Sequence, residues 1–347
     1  MFKIAGKRVG DGQPCFIIAE AGVNHNGKFS LARKMVDAAK KAGADAVKFQ
    51  VIDSERMVTK TAGKAAYQKR STGKGTQYEM LRRLELTKWE FRKLAAHAKR
   101  RGIVFLASAF DEASVDFVAE LKVPAFKVPS GEITNLPLLK HIAKKRKPII
   151  LSTGMSTLAE VADALKTIKK GGTKDIALLH CVSNYPAETG EMNLRAMETL
   201  GDEFGLPVGL SDHTLGTAVP IAAAALGANI IEKHFTLDRK MPGPDHEASL
   251  DPEEFGEMVT CIRDVEKALG AGVKKPTKSE EAVKKVVRKS IVARVNIPAG
   301  AVITAKMLDL KRPGTGLGPE YLKKVVGKRA KRNLKADELV TLKKLRG

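Results

Sequence analysis

Two short motifs, GLSDHT at 209–214 and EKHFT at 232–236, each carry an apolar run into a histidine. Neutral imidazoles such as His213 and His234, delivered from neighbouring strands, can share one borderline divalent metal ion. Two protein ligands leave coordination positions for water and substrate, which suits a Lewis-acid catalyst rather than a structural site. His180, in LLHC, is a third candidate: a ligand, an acid/base or a hydrogen-bond donor. Lys48 and Lys127, with the hydroxyls of Ser108, Ser130, Ser152 and Ser211, suit an anion carrying a phosphate and a carboxylate. The same lysines admit a rival chemistry, a Schiff-base nucleophile of the barrel-aldolase kind, which wants a desolvated pocket and no metal. Asp245 sits in the Pro/Gly-rich loop MPGPDHEASLDP (241–252) and either meets sugar hydroxyls or caps a turn. The stretch EAGVNHNG (20–27) offers Glu20, Asn24, His25 and Asn26 and fits a polyol or a turn equally. Any one of these residues could be a satisfied core polar group. Their joint recurrence at the ends of apolar runs is what points to a site, since buried charges without partners cost several kcal/mol each.

The runs that carry these residues alternate with amphipathic stretches. The strand-like segments are 16–21, 45–50, 103–108, 124–130, 148–154, 175–181, 206–212 and 229–235. Helical patterns follow at 30–43, 87–102, 111–121, 136–145, 157–172, 193–204, 217–227 and 252–270. The second of them opens on a capping box, Thr87 with Glu90. Eight strand–helix units imply a closed (β/α)8 barrel over residues 1–270, with its chemistry at the carboxyl ends of the strands. No GxGxxG follows an early strand, so a Rossmann sheet lacks its fingerprint. The long polar stretch 51–86 reads as a lid or substrate loop. Residues 271–285 read as a linker, and 286–347 as a small β-rich domain whose modest core leans on another chain or on the barrel.

Composition narrows the function classes. The chain has 347 residues and 43% hydrophobic content, which excludes wholesale disorder. No run approaches a membrane span, and the start MFKIAGKRVGDG lacks the apolar core of a signal peptide. Cys15, Cys181 and Cys261 make neither a disulfide framework nor a CxxC knot and read as packing, so a cytoplasmic setting is expected. The net charge is +22, of which +15 falls in the last 78 residues. That tail raises the question of nucleic acid, but Tyr321 is its one aromatic, so it has no stacking platform. A solvated lysine-rich surface, or a field that draws in a small anion, accounts for the charge better.

Several stretches, in order along nearly the whole chain, resemble the sialic acid synthases, which condense phosphoenolpyruvate with an open-chain N-acetyl-hexosamine. They are IAEAGVNHNG (18–27), VKFQ (47–50), FKVPSGEITNLPLL (126–139), LSTGMSTLAEV (151–161), LLHCVSNYP (178–186), GLSDHT, EKHFT and PGPDHEASL (242–250). The tail resembles their antifreeze-like (SAF) domain, with a KRPG loop at 311–314. The resemblance implies a TIM barrel followed by an SAF domain. It implies that His213 and His234 hold a divalent metal, usually manganese, with magnesium or cobalt as alternatives. It places phosphoenolpyruvate on Lys48, Ser108, Lys127, Ser130, Ser152 and Ser211, and the sugar near Glu20, Gln50, Tyr185 and Asp245. Ser183 stands where some members have Asn and would make the polar contact there. Glu20 and Glu132, the latter in the PSGE turn, are the candidate proton carriers. Arg312 matches an arginine that reaches the partner subunit's site, so a homodimer with exchanged SAF domains is expected. The resemblance leaves the acceptor open among N-acetylmannosamine, its 6-phosphate and the dideoxy-diacetamido precursors of legionaminic and pseudaminic acids.

Overall fold

The computed structural model describes residues 1–347. Eight parallel strands close into a barrel: β3 (Phe16–Gly22), β4 (Ala46–Val51), β5 (Val104–Ala109), β6 (Phe126–Val128), β7 (Ile149–Ser152), β8 (Ile176–Cys181), β9 (Val208–Asp212) and β10 (Ile230–His234). They follow chain order around the wall, and β10 pairs with β3 to close it. Before them a hairpin, β1 (Phe2–Ile4) with β2 (Lys7–Val9), caps the amino end. Sequence reasoning gave this segment no structure. The alternation F-K-I was its only signal.

Helix α1 (Phe29–Lys41) follows β3. After β4 come three short helices, α2 (Ser54–Met57), α3 (Ala66–Thr72) and α4 (Gln77–Arg82), then α5 (Lys88–Arg101). The remaining outer helices are α6 (Glu112–Glu120), α7 (Leu136–Ala143), α8 (Leu158–Lys170), α9 (Ala196–Phe204), α10 (Ala218–Ala225) and α11 (Pro252–Leu269). The capping box read from the sequence, Thr87 with Glu90, is present, and the structure adds two more, Thr157 with Glu160 and Asp251 with Glu254. The expected serine cap of the first helix is absent, since α1 begins at Phe29 with Lys28 as an uncapped N-cap.

Two apolar layers hold the barrel. Ile17, Val47, Phe105, Leu178 and Ile231 face the helices and join their inward sides. The lumen is filled from the amino end by Phe16, Ile18, Ala46, Leu106, Ile150, Leu179 and Ile230, with Phe2, Ile4 and Val9 of the hairpin below them. Because a strand repeats every two residues, the next lumen positions are Glu20, Lys48, Ser108, Ser152, Cys181 and Glu232. The polar residues are therefore the upper continuation of the same stripes that fill the floor.

The chain divides into two compact units, Met1–Gly270 and Ala271–Gly347. The second contains α12 (Lys278–Val287), β11 (Ser290–Ala293), β12 (Leu308–Lys311), α13 (Leu322–Val325), β13 (Arg329–Ala330) and β14 (Leu345–Arg346). The strands form two antiparallel pairs around Ile291, Ile297, Ile303, Val325, Leu334 and Val340. Two expectations need correction. The proposed linker at 271–285 is in large part helix α12, nucleated by a capping box of Thr277 with Glu280. The 51–86 segment is not a plain loop but carries three helices, with Thr76 and Glu79 capping α4. Both TxxE boxes sit in polar, lysine-rich surroundings that masked them. No helix is long and apolar enough to cross a membrane.

Candidate active site at the carboxyl rim of the barrel

A cavity of about 450 Å³ opens at the carboxyl ends of the strands. Its floor holds four buried charged groups in a chain. Lys48 Nζ lies 2.8 Å from Glu20 Oε2 and 3.7 Å from Glu232 Oε2, and Lys127 Nζ lies 3.3 Å from Glu232 Oε1. Lys48 also donates to Ser108 Oγ (3.3 Å), Ser211 Oγ donates to Glu232 Oε1 (3.1 Å), and Gln50 Nε2 donates to Glu20 Oε1 (3.0 Å). Burial dominates the protonation of this set. It raises the Glu20 carboxyl against the pull of Lys48, and lowers Lys127 despite Glu232. For Glu232 burial is overcome by Lys127 and Lys48, which hold its carboxyl below the ordinary range. For Lys48 burial is overcome by Glu20 and Glu232, which hold its ammonium above it.

Beside this floor, β9 and β10 deliver the two histidines. The His213 and His234 rings have centroids 5.4 Å apart, and Tyr185 packs 4.1 Å from the first and 5.4 Å from the second. The Nδ1–H of His213 donates to the Val182 carbonyl at 2.7 Å, which leaves Nε2 as the ring's lone-pair nitrogen. Burial opposes charge on His213, but Cys181 and the Val182 carbonyl outweigh it and raise its pKa. His234 is pushed well below its ordinary value by burial, with His213 and the lysines adding to the effect. Its Nδ1 is buried and has no hydrogen-bond partner.

This donor set fits a single divalent cation. An orphaned buried nitrogen on His234 and a lone-pair Nε2 on His213, whose Nδ1–H is held by the Val182 carbonyl, are what an imidazole pair offers a metal. No group of three or more His, Cys, Asp and Glu side chains stands together as a ligand cage, so the two imidazoles are the protein donors the rim offers.

The hydroxyls divide into engaged and free. Ser130 Oγ accepts from the Gly154 N–H at 3.0 Å, whereas Ser152 Oγ is buried with no partner. Gly154 must be glycine here: a Cβ would fall 2.4 Å from Ser183 Oγ and 2.8 Å from Ser130 Oγ. Ser183, Tyr185 and Asp245 line the same cavity. Burial and the Glu20 carboxylate raise Asp245 to about 7.

Three candidate residues lie elsewhere. His180 points out of the barrel, where its Nε2 meets the Met192 carbonyl at 2.6 Å; alternation along β8 gives the lumen to Cys181 instead. A metal-ligand or acid/base role for His180 is thereby removed. Glu132 does not line the cavity; its carboxylate accepts from Asn135 Nδ2 at 2.8 Å within its own turn, and Gly131 faces the site. Arg312 is exposed on the second unit, directly before Pro313. Sequence reasoning also passed over functional positions. Cys181, 3.8 Å from His213 Nδ1, is set by the same two-residue period as Leu179. Glu232 is not one of these: the sequence already places it, with His234, among the polar strand ends, though without a role. Tyr67, which stacks on Tyr185 at 5.0 Å, left no signal, because nothing in a lid sequence announces which side chain turns inward. His25 and His246 are buried apart from His213 and His234: His25 Nδ1 accepts from the Gly27 N–H, and His246 bridges Thr236 and Asn26.

Behind the histidines lies a second buried pair. Lys233 donates to Asp212 Oδ2 at 2.5 Å and to the Thr214 carbonyl, and Asp212 accepts from both the N–H and the hydroxyl of Thr214. This brace joins the residues flanking His213 to the residue preceding His234.

Comparison with known proteins agrees with the geometry. The NeuB family profile matches residues 35–274 and the SAF domain profile matches 288–346. The chain is 51% identical over 340 residues to an N,N'-diacetyllegionaminic acid synthase of Legionella pneumophila, covering 96% of each chain. It is 49% identical to the Campylobacter jejuni protein of the same name, over 93% of this chain and 98% of the other. Among solved structures, the N-acetylneuraminic acid synthetase of Leptospira borgpetersenii in complex with citrate matches with a TM-score of 0.72 and 35% identity, over 81% of this chain and 94% of that one.

Two predictions come from these buried charges. Lys233→Met strands the Asp212 carboxylate and is expected to lower unfolding stability by about 3–5 kcal/mol in denaturant melts; an unchanged midpoint would deny the brace its role. For Asp245 the folded state binds the proton more tightly than the unfolded chain. Stability therefore falls as pH rises from the ordinary value of 3.8 to about 7. In metal-free protein, Asp245→Asn should match wild type near pH 4 and exceed it by roughly 4 kcal/mol above pH 7.

Proposed function

The chain belongs to the NeuB family, and on that premise we propose that it is a nonulosonic acid synthase, joining phosphoenolpyruvate to the aldehyde of an open-chain N-acetylated sugar with release of phosphate. The observation that carries the proposal is the meeting, in one cavity, of two imidazoles 5.4 Å apart and a floor of two buried lysines with an unpartnered serine hydroxyl. An anion with two acidic ends and a carbonyl needing polarisation are the reactants such a site is built for.

In this reading His213 and His234 would hold the divalent ion, and the ion supplies Lewis acidity toward the aldehyde oxygen. Lys48 and Lys127 hold the phosphate and carboxylate of phosphoenolpyruvate, with Ser108, Ser130, Ser152 and Ser211 as directed donors. The enol carbon attacks the aldehyde carbon, and positive charge develops at the phosphate-bearing carbon. Water adds there, and the resulting hemiketal phosphate collapses to the keto acid and inorganic phosphate. Glu20 is the proton carrier the floor favours: burial draws its carboxyl toward the protonated form, while Glu232 is held as the carboxylate. Glu132, outside the cavity, has no part in these steps. Asp245 and Tyr185 position the sugar.

A metal-free lysine aldolase draws on one observation, the lowered pKa of Lys127. Borohydride trapping of a covalent adduct on Lys127 would favour it over the present proposal.

We also propose that the working form is a homodimer in which Arg312 serves the partner's sugar site. The rim that carries the cavity exposes Leu136, Met155, Leu158 and Leu215, and α12 exposes Val283, Val286 and Val287. Water-facing apolar groups of this density are what an interface covers. The exposed basic tail is left for solvent and for drawing in anionic substrate, not for nucleic acid. Free thiols at Cys15, Cys181 and Cys261 suit a reducing, cytoplasmic setting.

With phosphoenolpyruvate, manganese and an N-acetylated sugar, the protein should release phosphate, and chelation should stop it. His213→Ala should cost at least roughly 10²–10³-fold in turnover with an unchanged circular dichroism spectrum; near-normal turnover in that variant or after exhaustive chelation would remove the metal from the mechanism. Light scattering should give twice the chain mass, and Arg312→Ala should raise KM for the sugar while leaving KM for phosphoenolpyruvate in place. A monomer with full activity would end the dimer proposal.

A further inference from the structure

Asn24 and His25, in the turn after β3, are buried and Asn26 is half-buried, yet none of the three lines the rim cavity. Asn24 and Asn26 are spent instead on the chain between β10 and α11, which carries Asp245. That chain pairs regularly only at its base, where the Leu250 N–H donates to the His234 carbonyl and the Thr236 N–H to the Leu250 carbonyl, both at 2.9 Å. Above the base come Pro242, Gly243 and Pro244, with no helix or strand to fix the side chain that follows.

Asp245 is held from two sides. Asn24 Nδ2 donates to the Phe235 carbonyl at 3.0 Å and to Ser249 Oγ at 2.9 Å. Ser249 Oγ donates in turn to the Asp245 carbonyl at 2.6 Å, so one hydroxyl passes the tie from the first barrel loop to the last. On the other side His246 Nε2 meets Asn26 Oδ1 at 3.1 Å, and Nδ1 meets Thr236 Oγ1 at 2.7 Å. Asn26 Oδ1 accepts only, which puts the ring proton on Nε2 and leaves Nδ1 to accept the threonine hydroxyl. Burial pushes His246 down to about 4, so the ring is neutral near pH 7 and both nitrogens are committed. Gly243 closes on this contact: a Cβ there would fall 2.6 Å from His246 Cδ2 and 2.8 Å from Asn26 Oδ1. These ties reach the backbone of Asp245 and the ring next to it. They leave the Asp245 carboxyl to the cavity, where it stands in the fields of Glu20 and His213.

We propose that Asn24, Ser249 and His246 are positioning residues for Asp245: they set its carboxyl against the acceptor sugar without touching the sugar themselves. The inference rests on the contact between Asp245 and the sugar in the function proposed above. A group that orients a substrate must be held to within about 0.5 Å by the residues around it. A misplacement of about 1 Å can cost about 100-fold in rate. Without the relay, Asp245 rides on a Pro/Gly segment moored at its base alone. Asn24 and Asn26 thus act on the sugar through Asp245 and not as polyol ligands.

The test is phosphate release by the full-length protein with phosphoenolpyruvate and manganese. The acceptor is whichever of N-acetylmannosamine, its 6-phosphate and 2,4-diacetamido-2,4,6-trideoxymannose is turned over fastest. Ser249→Ala removes the relay and little else. It should raise KM for the sugar by about tenfold or more while KM for phosphoenolpyruvate stays within about twofold. His246→Phe keeps a ring, loses both hydrogen bonds and should act in the same direction; Ser249→Ala decides even where that variant does not fold. A fall in kcat with both KM values unchanged is what a smaller folded fraction gives, and would overturn the proposal. In an Asp245→Ala background, Ser249→Ala should cost less than about twofold, because its effect runs through the missing carboxyl. The same tenfold cost in both backgrounds would overturn the proposal. An unchanged sugar KM in Asp245→Ala itself would remove Asp245 from the sugar site and this inference with it, and leave the condensation standing. Phosphate release with none of the three sugars would overturn both readings.

Discussion

A strand in the wall of a closed barrel turns every second side chain to the lumen, and this period decides what the site contains. Phe16 and Ile18 put Glu20 above them; Ile230 puts Glu232 and then His234 above it. The hairpin β1–β2 seals the amino end with Phe2, Ile4 and Val9, so the polar continuation of the stripes has one open face. A one-residue slip in any strand would exchange its lumen set for its helix-facing set. His180 and Cys181 show how sharp this is: adjacent residues, one outside with a backbone carbonyl and one inside against His213.

The second constraint is electrostatic. Four ionisable groups cannot be buried at the floor unless their charges nearly cancel. The chain Glu20–Lys48–Glu232–Lys127 meets that condition, and it leaves the lysines committed to carboxylates. An anion entering under the proposed function competes with those carboxylates for the same ammonium groups. Burial has already moved Glu20 toward its protonated form, while Glu232 is pinned by two lysines and Ser211. Glu20 is therefore the group that gives way, by taking up a proton. Substrate binding and the choice of proton carrier are then one electrostatic event rather than two separate devices.

These two constraints also explain what was legible in the sequence. The barrel was readable because eight apolar runs alternate with capped amphipathic helices, and most rim residues were readable because they end those runs. The histidine pair, both lysines and the serines lie where the strand ends place them. What failed were features set by tertiary placement. Glu132 follows the strand it was assigned to by a short turn, and the turn spends its carboxylate on Asn135. Alternation would have separated His180 from Cys181 had the inward phase of β8 been fixed from Leu179. Helix α4 of the lid and α12 carry TxxE boxes, but the runs are short and lysine-rich, and periodicity over four to ten residues is too weak a signal.

The lid differs from the rim in kind. Rim residues are positioned by the hydrogen-bonded wall of the barrel, so their geometry changes only if the barrel changes. The lid is positioned by a few polar ties, Lys64 to three carbonyls and Glu85 to Ser54, and by contacts among Val23, Met80, Leu81 and Leu84. Such a segment tolerates substitution at its inward side chains without disturbing the floor. Under the proposed function, condensation draws on the floor and the histidines. Discrimination between sugars that share an aldehyde and an N-acetyl group needs contacts at their far carbons and nothing from the floor. On that reading the bond-forming groups sit on strands and the contacts to the far end of the acceptor fall to the lid, a braced but replaceable wall. Resemblance at the rim therefore carries the reaction from one relative to another more securely than it carries the sugar.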